Sequence, residues 1–178
     1  MKKYEITDIA HPDNSTLYRI KALIDIPGRG VKAGDLGGYI QSENNLSQDG
    51  DCWVSGNGRV TDNGRVIDNG SVTGNGLVAG NGKVTDNGWV TDNGWAFGDA
   101  VIKKPSDILT ISSLGSRNDT LTVLYNKTCA TGCFQGTVDE FLAAVKETHR
   151  NNKYAKQYQD AIDYAYKYFG WEHEKGER

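Results

Sequence analysis

The sequence predicts a mainly β chain: a strand repeat in the middle, a short β-hairpin before it and a small α+β unit after it. Three observations predict this. An aliphatic residue returns at every sixth position, as Val54, Val60, Val66, Val72, Val78, Val84 and Val90, then Ala96 and Ile102. Two positions ahead of each return stands Gly58, Gly64, Gly70, Gly76, Gly82, Gly88, Gly94 or Ala100, preceded by Asn (Asp99 in the last unit) and, before that, by Asp or Gly. Before this interval the apolar period is two, and after it come further short strand segments and then, from Thr137, helical spacing.

At the N-terminus, segments 3–9 and 16–26 are predicted as strands. In the second, Tyr18, Ile20, Ala22, Ile24 and Ile26 alternate with Arg19, Lys21 and Asp25, the pattern of a sheet with one dry face. His11–Ser15 carries turn chemistry, and Pro27-Gly28-Arg29-Gly30 ends the second strand. Residues 1–40 are therefore read as a hairpin that caps the repeat, because the first rung of a solenoid exposes unpaired edges and open core. Ile40 and Leu46 are already six apart, whereas Leu46 to Val54 is eight, so a two-residue insertion precedes the regular array.

The repeat unit occupies residues 41–104. A period of six is a multiple of the strand period of two and not of 3.6, so the aliphatic residue and the Gly or Ala face one way in extended chain. Six residues at about 3.3 Å each are too few for a hairpin, and Asp/Gly-Asn-Gly supplies left-handed backbone for a corner. An unbroken valine register argues against a disordered Gly/Asn-rich linker. The Gly-Gly-x-Gly-x-Asp pattern of a calcium-binding β-roll is missing. The unit resembles the hexapeptide repeat of left-handed parallel β-helices, of a kind found in bacterial and phage proteins. That resemblance implies a short left-handed parallel β-helix with about eighteen residues to each triangular coil. Gly stands where that family more often carries Ala.

After Lys103-Lys104-Pro105 the period stops, and residues 105–178 are predicted as a β-β-β-α-α unit. Segments 107–112 and 120–126 form a hairpin around Gly115–Asp119, with a short third strand near Cys133-Phe134. Thr137 and Glu140 make a capping box, and Val138, Phe141, Leu142 and Val145 share one helical face. A second helix carries Ala155, Tyr158, Ile162, Ala165 and Phe169 and stops at Gly170.

Eighteen-residue coils sort the outward residues into columns: Trp53, Ser71 and Trp89; Arg59, Leu77 and Trp95; Arg65, Lys83 and Val101. Leu77, Ala79, Trp95 and Phe97 then adjoin, an apolar patch too large for idle surface. Either the C-terminal unit or a second copy covers it, giving a homodimer, or it meets a partner, for which flat faces with Trp and Arg are suited. The expected partner-binding residues are Trp53, Arg59, Leu77, Trp89, Trp95 and Phe97.

Net charge is −3 with both signs interspersed, which leaves no electrostatic footprint for non-specific nucleic-acid binding. No apolar run approaches a membrane span and no signal region follows the first residues, so a cytoplasmic location is expected, in a bacterial host. Cys52, Cys129 and Cys133 form no even framework. Cys-x-x-x-Cys with His149 downstream is a weak metal pattern, and buried structural thiols are the expectation.

No catalytic residue, metal or cofactor is expected. Hexapeptide acyltransferases place a catalytic His at a subunit boundary, whereas His11, His149 and His173 all lie outside the repeat. The same absence removes a carbonic-anhydrase-like metal site. No nucleophile elbow or phosphate loop replaces them. Ser116-Arg117-Asn118 could bind an anion but reads first as a turn. Ala79, Ile67 and Phe97 interrupt the Thr column that an ice-binding face needs. The expectation is a non-enzymatic protein-binding module, an inhibitor of a host bacterial protein carried by a phage or mobile element, with anti-defence or anti-CRISPR action by surface occlusion. The alternatives are a self-assembling structural β-helix protein and a degenerate acyltransferase-like ligand-binding protein.

Overall fold

The computed structural model describes residues 1–172, in two units, Met1–Pro105 and a second that begins at Ser106. In the first, strands β1 (Tyr4–His11), β2 (Asn14–Ala22) and β3 (Leu36–Ile40) precede nine two-residue strands. These are β4 (Trp53–Val54), β5 (Arg59–Val60), β6 (Arg65–Val66), β7 (Ser71–Val72), β8 (Leu77–Val78), β9 (Lys83–Val84), β10 (Trp89–Val90), β11 (Trp95–Ala96) and β12 (Val101–Ile102). They pair in parallel with every third neighbour, giving the sheets β4-β7-β10, β3-β5-β8-β11 and β6-β9-β12, a solenoid of about four turns. Val54↔Val72↔Val90, Val60↔Val78↔Ala96 and Val66↔Val84↔Ile102 all pair at an interval of eighteen. The first coil is longer, since Ile40 pairs with Val60 and Leu46 with Val66, which places the two-residue insertion where the sequence put it.

All the inward aliphatics are fully buried. Larger residues close the ends of two inward columns, Ile40 in one and Leu46 and Ile102 in another, where fewer neighbouring coils are available to fill the space.

The corners divide the work of Asp/Gly-Asn-Gly among its three residues. The first adopts positive φ, at Asp62, Asp68, Asp86 and Asp92 or at Gly56, Gly74, Gly80 and Gly98. Only Gly, Asn and Asp visit that region readily, which explains the Asp/Gly alternation. The Asn forms ladders along the stack, Asn57 to Asn75 to Asn93 at 3.4 and 3.2 Å and Asn63 to Asn81 to Asp99 at 3.2 and 2.9 Å. The final Gly serves close approach. A Cβ on Gly70 would stand 2.5 Å from the Val84 carbonyl oxygen, and one on Gly82 would stand 2.6 Å from that of Ala96. Gly is therefore the residue that fits these corners, and Ala100 appears in the last corner, whose strand β12 pairs on one side only.

The hairpin β1–β2 is continuous with one solenoid face: β2 pairs antiparallel with β3, which pairs parallel with β5. It is fastened to the first coil by buried side chains. Lys3 Nζ donates to the carbonyls of Asp49, Gly50 and Cys52 at 3.3, 3.1 and 3.0 Å and lies 3.2 Å from Cys52 Sγ. Tyr4 OH donates to the Leu46 carbonyl at 2.7 Å. Asn45, also buried, accepts from Gln41 N and Ser42 N and donates to the carbonyls of Asp62 and Gly64. The second strand stops at Ala22, short of the predicted 26, because Ile26 forms a bridge with Val31 across the turn made by Pro27–Arg29.

The second unit has four strands rather than three: β13 (Ile108–Leu114), β14 (Asp119–Leu124), β15 (Thr128–Thr131) and β16 (Phe134–Thr137), in that order in one antiparallel sheet. The strand expected near Cys133-Phe134 is β16, which begins at Phe134, while Cys133 lies with Gly132 (φ 54°) in the turn that follows β15, the strand not foreseen. Helices α1 (Val138–His149) and α2 (Lys153–Phe169) come next. The Thr137–Glu140 capping box forms as predicted, and Gly170 ends α2 in the left-handed region. Leu121, Val123, Phe141, Tyr158, Ile162 and Ala165 centre its core.

Candidate functional site

The three outward columns form in the register expected, since Trp53 pairs with Ser71 and Ser71 with Trp89, Arg59 with Leu77 and Leu77 with Trp95, and Arg65 with Lys83 and Lys83 with Val101. Backbone pairing brings each set together because outward residues on adjacent coils stack at about 4.8 Å.

On the first face Trp53 is 3% exposed and Trp89 46% exposed. The Trp53 ring meets Tyr4 edge-on at 6.5 Å, so the hairpin's first strand shields it. Segment 27–31 approaches the same face, where Arg29 Nε donates to the Asp51 carbonyl at 3.0 Å and Arg29 Nη2 to that of Asn69. Ser71 is small enough to leave a cleft of about 270 Å³ between the two indoles, lined also by Arg29, Ser55 and Thr73. Trp89 Nε1 donates to Thr73 Oγ1 at 3.0 Å, and Thr73 Oγ1 donates to Thr91 Oγ1 at 3.0 Å. These bonds hold the exposed indole in one orientation, which lowers the entropy lost when something packs on it.

The second face carries a longer column. Arg19, Tyr39, Arg59, Leu77 and Trp95 are successive partners across β2, β3, β5, β8 and β11. Arg19 Nε donates to Tyr39 OH at 3.0 Å, with its guanidinium carbon 4.8 Å from the ring centroid. Arg59, Leu77 and Trp95 are half-buried, and Phe97 is buried at 5% exposure. Of the six predicted binding residues, Trp89 alone is exposed. Sequence reasoning missed Arg29 and Tyr39, whose positions depend on chain folding back from outside the repeat; the positive charge of Arg29 beside Gly28 and Gly30 was the available signal.

The cysteines separate by environment. Cys52 and Cys129 are buried, and burial raises both thiols, Cys129 to about 12. Cys133 is exposed, contrary to the expectation of a structural thiol, because it occupies the β15–β16 turn. No metal-binding cluster of His, Cys, Asp or Glu forms among the described residues. Cys133 instead lines a cavity of about 210 Å³ with Arg117 and His149, which the chain carries far apart in sequence. His11 packs edge-on against Tyr39 at 4.7 Å, and His173 lies outside the described residues. No described helix is long and apolar enough to cross a membrane. Comparison with protein-family models gives no match, and comparison with curated proteins gives no relative.

Proposed function

We propose that this protein is a non-enzymatic protein-binding module whose solenoid presents its first face to a partner. The observation that carries the reading is Trp89, 46% exposed on the last strand of a three-stranded sheet and beside a cleft. An indole fixed in orientation, next to a recess with Arg29 and hydroxyl groups on its walls, has the composition of an interaction hot spot. The half-buried Arg59, Leu77 and Trp95 extend the available aromatic and cationic surface on the second face. A host bacterial protein is the partner class that the hexapeptide-repeat resemblance favours, with occlusion of a defence component, CRISPR effectors included, as the corresponding mode of action.

The test is capture from bacterial lysate on three immobilised forms: the native protein, Trp89→Ala, and Lys83→Ala on the third face. A species held by the native and Lys83→Ala forms and weakened about thirtyfold by Trp89→Ala supports the reading. Equal capture by all three forms, or by none, counts against it. Sedimentation of the purified protein at rising concentration addresses self-assembly, since growth into long polymers would make the structural alternative the better account.

A further inference from the structure

A cavity lies within the second unit, lined by that unit's residues. Its walls include Phe134, Phe141 and Val145, while Arg117, Asp119 and Cys133 stand at its edge. Phe141 and Val145 are buried, whereas Arg117 and Cys133 are exposed, so the site has an apolar floor and a polar mouth. At about 210 Å³ it falls below the roughly 300–1,000 Å³ of drug-sized sites, which restricts an occupant to a compact molecule.

The turn chemistry at the mouth directs the charge. Arg117 forms no ion pair within 4.0 Å among the described residues, and Nη1 lies 3.7 Å from Cys133 Sγ. Gly132 leaves space where a Cβ would stand 3.2 Å from Arg117 Nη1 and 3.5 Å from Asp119 Oδ2. A guanidinium with no carboxylate at ion-pair distance among the described residues, set beside aromatic and aliphatic walls, matches an anionic head on an apolar body. Asp119 stands on the same edge and opposes an anion, which makes the two side chains opposite in their expected effect.

We propose that this cavity binds a small organic anion, a carboxylate on a compact apolar body, with Arg117 as its charge partner and Cys133 at its mouth. Cys133 reports on occupancy, because Cys52 and Cys129 are buried and the intact folded protein offers one accessible thiol. Alkylation by iodoacetate or iodoacetamide forms an S–C bond as the C–I bond breaks and iodide leaves. The ratio of the two rates divides out any change in thiolate fraction and leaves the pull of Arg117 on the anionic reagent.

In the native protein the iodoacetate-to-iodoacetamide ratio should exceed that of Arg117→Gln about fivefold. Asp119→Asn should move it the other way, upward, so a general loss of structure cannot mimic both results. Benzoate should protect Cys133 saturably, and inorganic phosphate should protect it less. An unchanged ratio in Arg117→Gln overturns the proposal, as does absence of saturable protection by benzoate. Equal protection by phosphate and benzoate removes the apolar body from the ligand class and overturns it in this form.

Discussion

At the scale of single residues, glycines that look alike in the repeat perform two tasks, and substitution separates them. Gly70→Ala brings a Cβ to 2.5 Å from the Val84 carbonyl oxygen, within a stack that cannot move one coil without its neighbours. A loss of about 2–3 kcal/mol in denaturant unfolding is expected, against about 1 kcal/mol or less for Ala100→Gly in the last corner. At the positive-φ corner residue Asp62, replacement by Gly should be tolerated, whereas Val should cost about 1–2 kcal/mol. Titration sets a third expectation. Cys129 is raised from 9.0 to about 12 by burial and then by the nearby Glu140 charge. A raised value means the protonated form is favoured by folding, so this stabilisation is full below about pH 9 and is lost as pH climbs from 9 toward 12. Cys52 and Tyr4, both raised by burial, add to the same alkaline decline. Denaturation midpoints measured from pH 8 to 12 should fall in this window, and Cys129→Ala should flatten the fall.

At the scale of elements, the hairpin and first coil depend on Lys3, which is 2% exposed and donates to three backbone carbonyls. Lys3→Met keeps the length of the side chain but takes the ammonium donor away from the buried Cys52 carbonyl and from two partly buried carbonyls beside it. It should cost about 3 kcal/mol and raise amide exchange in residues 46–52 before the later coils. At α1, Glu140 accepts from Thr137 N at 2.8 Å, and the backbone and side-chain bonds from Thr137 lower its carboxyl. A lowered value places the capping contribution above the ordinary carboxylate range and removes it as pH falls through the lowered one. Glu140→Gln should therefore abolish the acid-dependent fraying of α1 in a helix-sensitive spectrum. Both elements show how far local reading goes. Thr137-x-x-Glu140 was legible because a capping box closes within four residues. Lys3 was not, because its acceptors lie some 46 to 49 positions away and nothing in Met-Lys-Lys distinguishes a latch from a solvated cation.

At the scale of the whole molecule, the chain carries two separate hydrophobic cores. One is the inward stack of the solenoid, the other the cluster around Leu121, Phe141 and Ile162. The fragments 1–105 and 106–178 should each unfold cooperatively by circular dichroism, the first with a β spectrum and the second with helical signal. Failure of either fragment to fold would mean that the division at Pro105 is not a thermodynamic one. Within the stack, Val78→Ala should destabilise the first fragment by about 2 kcal/mol and leave the second unaffected.

The repeat and its inward set were legible in the sequence because a strand repeat of six admits one inward set, and the eighteen-residue coil that the hexapeptide resemblance implied then sorted the outward residues into three faces. The extra two residues before Val54 were legible for the same reason. What the tertiary structure decided was exposure. Trp53 and Trp89 occupy equivalent positions two coils apart, yet Tyr4 and segment 27–31 fold against one indole and leave the other open to solvent. It also gathered Arg117, Cys133 and His149 around one cavity from a hairpin turn, a second turn and a helix end. Periodicity fixes which side of its own strand a residue takes; what covers that side comes from distant chain, through contacts that carry no period.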